Sequence, residues 1–222
     1  MSRLSGDALV PAAHDVLPAS FEGWCDPGRT ALLVYDMQVG ICRQLPQAPA
    51  IVARCAVALE AARAAGMRVA FTRHLSCPKR WMGATQIRTA MAWQHAQTPE
   101  GLRVPFARGA EAWQVVPELA PRDDELVLDK LSMSAFEGTP LATALHDVGV
   151  RGVAIVGIAL EIGIEPTVRH ATDLGFVPIV LADGCGHGRV EAGARALETM
   201  RFVGEAVIGE VDVFARALSG AS

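Results

Sequence analysis

No stretch of this chain is long, continuous and uncharged enough to span a bilayer, although 51% of its residues are hydrophobic. The apolar runs keep stopping at Gly, Asp or Arg, which excludes a helical membrane protein and leaves a soluble one as the expectation. There is no basic stripe either: the net charge is -4, with acids and bases mixed along the chain, so nucleic-acid binding is excluded and small molecules become the expected partners. The five cysteines, Cys25, Cys42, Cys55, Cys77 and Cys185, form no CxxC pair. That argues against zinc ribbons and disulfide frameworks and for reduced thiols in a cytoplasmic protein. Residues 1–20 lack the basic start, apolar centre and small-residue cleavage site of a secretory signal. We read residues 1–24 as a surface arm and residues 25–222 as one domain, since neither a linker nor an internal repeat divides the 222 residues.

What is present is an alternation of short β-branched runs with longer Ala-rich amphipathic stretches, the pattern of a parallel sheet covered by helices on both faces. Strands are expected at Thr30–Tyr35, Arg68–Thr72, Glu125–Asp129, Gly152–Val156, Val177–Leu181 and Ala206–Ile208. Helices are expected at Ala50–Ala65, Pro140–Val148, Ile162–Leu174, Arg189–Met200 and Val211–Leu218. Between His74 and Pro121 the pattern breaks, with several prolines, Trp81, Trp93 and Trp113, and a helical piece around Gln86–Gln94. The fold class is therefore α/β: a single-domain, three-layer sandwich around a six-stranded parallel sheet. Its expected order is 3-2-1-4-5-6.

Open parallel sheets bind ligands beyond the carboxyl ends of their strands, where the strand order reverses. Three features fall at such ends: Asp36, Lys130 and the turn Gly157-Ile158-Ala159-Leu160-Glu161-Ile162-Gly163. An Asp beside a Lys in a dry pocket suits general acid and base work, and an ion pair tying two strands together is the bland alternative. Backbone N–H groups at the start of the helix after Gly157 favour an anionic group, while Gly157 and Gly163 also permit close packing of helix on sheet. His170, in mid-helix, reads as a surface residue.

These motifs carry a resemblance. Leu33-Val34-Tyr35-Asp36-Met37-Gln38, Lys130-Leu131-Ser132-Met133-Ser134-Ala135-Phe136-Glu137-Gly138-Thr139-Pro140-Leu141, and Val156-Gly157-Ile158-Ala159 followed by Thr167 and Ala171 resemble, in order, three elements of the isochorismatase-like hydrolase family, also called the cysteine hydrolase superfamily. Ala182-Asp183-Gly184-Cys185 resembles the end of its next strand. The resemblance implies a homo-oligomeric hydrolase, homodimeric or larger. In the amidase branch an Asp, a Lys and a Cys act together; Asp36 and Lys130 match the first two, and the Cys position aligns with Gly163. True isochorismatases also carry Gly there and cleave a vinyl ether without a covalent intermediate.

The resemblance thus implies a cysteine-independent hydrolase, with Asp36 as general acid or base and Lys130 assisting it. Vinyl ether cleavage is the favoured reaction, with Gly163 leaving room for substrate. Amide hydrolysis by water activated at Asp36 or Glu161, and a non-catalytic binding relative, are the alternatives. Substrate contacts are expected from Gln38, Gln86, Arg88, Trp93, Ala159, Leu160 and Glu161. For Arg88 a solvated helix face is the stronger reading, and Glu161 would repel a dicarboxylate such as isochorismate. No cofactor and no metal are expected: His74 with Asp36 resembles a metal site of some amidases, but Gln38 stands where a histidine ligand would be needed. Asp36→Asn is expected to stop turnover without affecting folding, and Gly163→Cys to create amidase activity or a reactive thiol.

Overall fold

The structure is a computed structural model that describes Pro18 and residues 20–220; the expected arm at residues 1–24 lies largely outside them. Phe21 and Trp24, at the described start, are partly buried against the main body.

Six parallel strands, β1 (Thr30–Tyr35), β2 (Arg68–His74), β3 (Leu126–Lys130), β4 (Gly152–Ile158), β5 (Val177–Gly186) and β6 (Val207–Gly209), form one sheet in the order β3-β2-β1-β4-β5-β6. The expected fold class and order hold. β1 is flanked on both sides, so all six of its residues are buried. Its alternation sorts them between two cores: Leu32 and Val34 face one, Ala31, Leu33 and Tyr35 the other.

The first core is closed by α1 (Ala48–Ala64), an Ala-rich helix with a proline in its first turn. It buries Cys55, Ala58, Leu59 and Ala62, a single stripe at helical spacing. The segment Ala84–Gln94 forms α2, which buries none of its residues. α3 (Leu141–Asp147), α4 (Glu165–Asp173) and α5 (Val190–Val203) cover the second core through Leu141, Leu145, Val168, Ala171, Ala196 and Met200. α6 (Val211–Ser219) returns to the first face with Val211 and Phe214.

The largest departures from the expected boundaries are at the end of β5 and the start of the helix after β4. β5 runs to Gly186 because the register shifts after Ile155, so that Gly157 pairs with Cys185 and Ile158 with Gly186. The helix expected from Ile162 opens instead with a wide π-helical turn, Leu160–Ile164, in which Ala159 O accepts the N–H groups of Ile162, Gly163 and Ile164.

The chain winds outward from β1 to β3 and then, from β4 to β6, in the other direction. The switch point lies between β1 and β4, directly below Asp36 and Ala159. Gly157 secures the closeness of these two strands: it sits at φ 129, and a Cβ at this position would collide with the backbone oxygen of Tyr35. Only glycine fits there.

Candidate active site

Asp36 follows the last residue of β1 and is held at φ 48, a left-handed conformation costly for a residue with a side chain. Its carboxylate is almost fully buried and accepts two hydrogen bonds, from Thr72 Oγ1 at 2.7 Å and from Lys130 Nζ at 2.7 Å. Strand register brings the three together: Tyr35 pairs with Thr72, and His74 pairs with Lys130, the last residue of β3.

Lys130 is equally buried, and its ammonium has three acceptors: Asp36 Oδ2, the Tyr35 hydroxyl at 2.8 Å and Ser132 O at 3.1 Å. An ammonium has three protons, so Lys130 is fully engaged. The Tyr35 hydroxyl in turn donates to Met133 O. Burial, and next the nearby Asp36 charge, push the Tyr35 phenol well above its ordinary value; it stays protonated.

Tyr35 is the member of this group that sequence reading missed, and it changes the meaning of Gly163. A Cβ at Gly163 would collide with the Tyr35 hydroxyl oxygen and with the ring carbon that bears it. The space beside Gly163 therefore holds the phenol rather than leaving room for substrate. Thr72 is a second residue that sequence reading missed. The available signal was a lone tyrosine, one in 222 residues, at the end of an otherwise aliphatic strand beside a glycine-bearing turn.

Tyr35 and Asp36 open onto a cavity of about 780 Å³. The Ala159–Ile162 turn forms one wall through Ala159, Glu161 and Ile162. α2 covers it with Thr85, Gln86, Thr89, Ala90, Ala92 and Trp93, which fall on one helical face. Gln86, Trp93, Ala159 and Glu161 thus line the cavity.

Three residues expected at substrate do not line it. Gln38 is fully buried and staples the chain: its amide donates to His74 O at 3.0 Å and Trp113 O at 2.9 Å, and its Oε1 accepts His74 N at 2.7 Å. Leu160 turns into the second core. Arg88 is exposed on α2 and does not line the cavity, in keeping with its reading as a solvated helix residue, although Thr85 and Ala92, three and four residues away, do line it. His170 also departs from its surface reading, since its Nδ1 is 2.9 Å from Ser134 Oγ and its ring meets Phe136 edge-on.

His74 lines the cavity and packs edge-on against Trp93 and Phe106. Burial pushes its imidazole below the ordinary value, with Asp36 and Lys130 acting in opposite directions. Burial also drives thiol values up, to about 12 at Cys25, about 11 at Cys42 and well above the ordinary range at Cys185. These thiols are protonated and inert. Cys77 is the cysteine that lines the cavity, and it takes no part in the hydrogen bonds around Asp36 and Lys130. Among the described residues no group of three or more His, Cys, Asp and Glu is arranged to hold a metal ion.

A largely apolar cavity with a buried acid at the switch point of a doubly wound sheet defines a small-molecule site of the open α/β class. The isochorismatase domain matches residues 30–211. The chain belongs to the isochorismatase family and is a hydrolase of that family. It is 29% identical over 173 residues to the ureidoacrylate amidohydrolase RutB of Pantoea ananatis (strain LMG 20103), covering 71% of this chain and 69% of that protein. Among solved structures it resembles a cysteine hydrolase from Pseudomonas syringae pv. phaseolicola 1448A, with a TM-score of 0.72 and 25% identity over 88% of this chain and 95% of the other. It shares its fold with N-carbamoylsarcosine amidase from Thermoplasma acidophilum, with a TM-score of 0.69 and 22% identity over 83% and 97% of the two chains.

Proposed function

We propose that the cavity is the active site of a cysteine-independent hydrolase that cleaves a C–N bond in a small amide or ureido compound, with Asp36 as general base. The observation that carries this reading is the direction of the hydrogen bonds. Both oxygens of Asp36 accept, from Thr72 and from Lys130, so the carboxyl group is set up to take a proton rather than to give one. The similarity to an amidohydrolase over two thirds of the chain supports the bond class.

In the proposed cycle Asp36 takes a proton from a water molecule as the water oxygen bonds to the substrate carbonyl carbon. The carbonyl π pair moves to its oxygen and later returns, expelling the nitrogen. That nitrogen receives the proton from Asp36, which restores the carboxylate. Lys130, engaged by three acceptors, is a positioning residue in this cycle: it fixes Asp36 and stabilises its charge.

Cleavage of a vinyl ether needs the opposite proton flow, from Asp36 to carbon. Screening amides, ureido compounds and vinyl ethers by mass spectrometry separates the two reactions. Turnover in ¹⁸O-water then tests the mechanism. We expect one labelled oxygen in the carboxyl product of a single turnover and no substrate adduct on the protein. A trapped acyl adduct, or turnover of vinyl ethers alone, overturns the reading.

A further inference from the structure

The cavity carries two acceptors that the protein leaves unpaired. Glu161 Oε1 accepts the N–H groups of Gly188 at 2.8 Å and Arg189 at 3.0 Å, but Glu161 Oε2 has no donor although it is shut off from solvent. Gln86 Oε1 is in the same condition. Among the described residues one further buried side-chain atom lacks a partner, Glu205 Oε2, and Glu205 does not line this cavity. Two of the three such atoms therefore belong to residues of one cavity, one from the turn after β4 and one from α2.

Buried acceptors without donors are unfavourable, and the deficit is removed when a ligand brings the donors. The protein supplies none in this structure. Lys130 is engaged by three acceptors, and His74, whose imidazole burial pushes below its ordinary value, keeps one N–H and brings no charge at pH 7. Arg103 and Arg189, which also line the cavity, are exposed side chains at its solvent edge. Both residues line this largely apolar cavity, and one of the unpaired acceptors is a carboxylate oxygen.

The geometry points to a cation subsite at Glu161 and Gln86 that takes the positively charged N–H donor group of the substrate, a guanidinium or an ammonium. This rests on the reading of the cavity as the substrate site. It makes Glu161 and Gln86 the residues that decide which substrates enter. Dicarboxylates are selected against, because an anionic group placed at this subsite is repelled by the Glu161 carboxylate.

A matched probe series tests the subsite without knowledge of the substrate: butylguanidinium, butylammonium, butylurea and butyrate, titrated into the protein while the indole N–H resonance of Trp93 is followed by NMR. Trp93 lines the cavity, and its resonance is assigned with Trp93→Phe. We expect the two cations to bind and butyrate not to. Glu161→Gln keeps an acceptor for the two backbone N–H groups and should weaken butylguanidinium about tenfold or more, the loss of one charge-assisted hydrogen bond. Gln86→Leu, which leaves the α5 start untouched, should weaken it less. Thermal melting establishes that each variant is folded.

Butyrate binding better than butylguanidinium, butylurea binding as tightly as the cation, no binding of either cation, or unchanged affinity in Glu161→Gln each overturn the subsite. The double variant Asp36→Asn/Lys130→Met separates this from the proposed reaction. It should bind butylguanidinium as the wild type does while losing turnover, so failure of the subsite and failure of the base mechanism have different signatures.

Discussion

The two sides of the cavity are built on opposite principles. At the sheet rim, Asp36, Lys130, Tyr35 and Thr72 satisfy one another: every ammonium proton has an acceptor and both carboxylate oxygens have donors. On the opposite side α2 buries none of its residues and Gln86 keeps an unpaired acceptor, as does Glu161 on the turn after β4. The difference separates chemistry from recognition. Charges that must hold one geometry are locked by strand register, while Gln86, left incomplete, sits on a helix that buries none of its residues.

Breaking the rim should have the largest effect. Asp36→Asn should lower turnover by about 10²-fold to 10⁴-fold, the usual worth of a general base. The same change leaves the Lys130 charge buried without its partner, at a cost of about 3–5 kcal/mol of stability. The expectation that Asp36→Asn spares folding is thus corrected by the burial of the pair. Asp36→Asn/Lys130→Met should recover stability in urea unfolding and not recover turnover. Recovery of both would show that the pair is only structural.

Gly163→Cys comes next. The added Cβ would collide with the Tyr35 hydroxyl oxygen, an overpacked contact of the kind that costs about 1–3 kcal/mol. The single variant should melt earlier than wild type and show no accessible thiol at position 163. With Tyr35→Leu added, the space opens and the introduced thiol should become alkylated by iodoacetamide, read by peptide mass spectrometry. Equal labelling in the single and double variants would mean that Tyr35 does not fill this space.

The strands and the helices on both faces were legible in the sequence because short β-branched runs alternate with longer Ala-rich amphipathic stretches. The position of Asp36 at a strand end was legible for the same reason. What could not be read was reciprocity across elements. That Tyr35 fills the volume beside Gly163 depends on the twist and separation of β1 and the turn after β4, not on any local pattern. Gln38 reads as a substrate residue because its motif adjoins Asp36, yet three hydrogen bonds make it a staple between the chain after β1, the end of β2 and Trp113. In α2 the periodicity is too weak to tell which residues face the cavity; the solvated reading of Arg88 is the one observed, while Gln86 lines the cavity.

His74 stands between the two walls and gives a smaller, pH-dependent effect. Its folded value is depressed by burial, so the unfolded chain binds a proton that the folded chain refuses. The contribution is present above the unfolded value of about 6.5 and is lost as the pH falls below it toward the folded value. Asp36 and Lys130 are the charged groups that face it. Unfolding free energies from urea titrations at pH 7.5 and pH 5 should fall on acidification, by no more than about 1.4 kcal/mol per pH unit from this group. In His74→Phe the fall should be shallower, and an unchanged slope would assign the acid sensitivity elsewhere.

The smallest effect belongs to the outer face of the cover. Arg88 is exposed, has no ion pair among the described residues and does not line the cavity. Arg88→Ala should therefore change stability by no more than about 0.5 kcal/mol. It should leave both turnover and butylguanidinium affinity unchanged, whereas Gln86→Leu, two residues earlier on the same helix, should weaken the cation. Because the two substitutions share one helical turn, any general loosening of α2 would affect both alike. A difference between them isolates the lining face as the part that recognises substrate; a loss of affinity in Arg88→Ala would place recognition on the whole cover and blur its contrast with the rim.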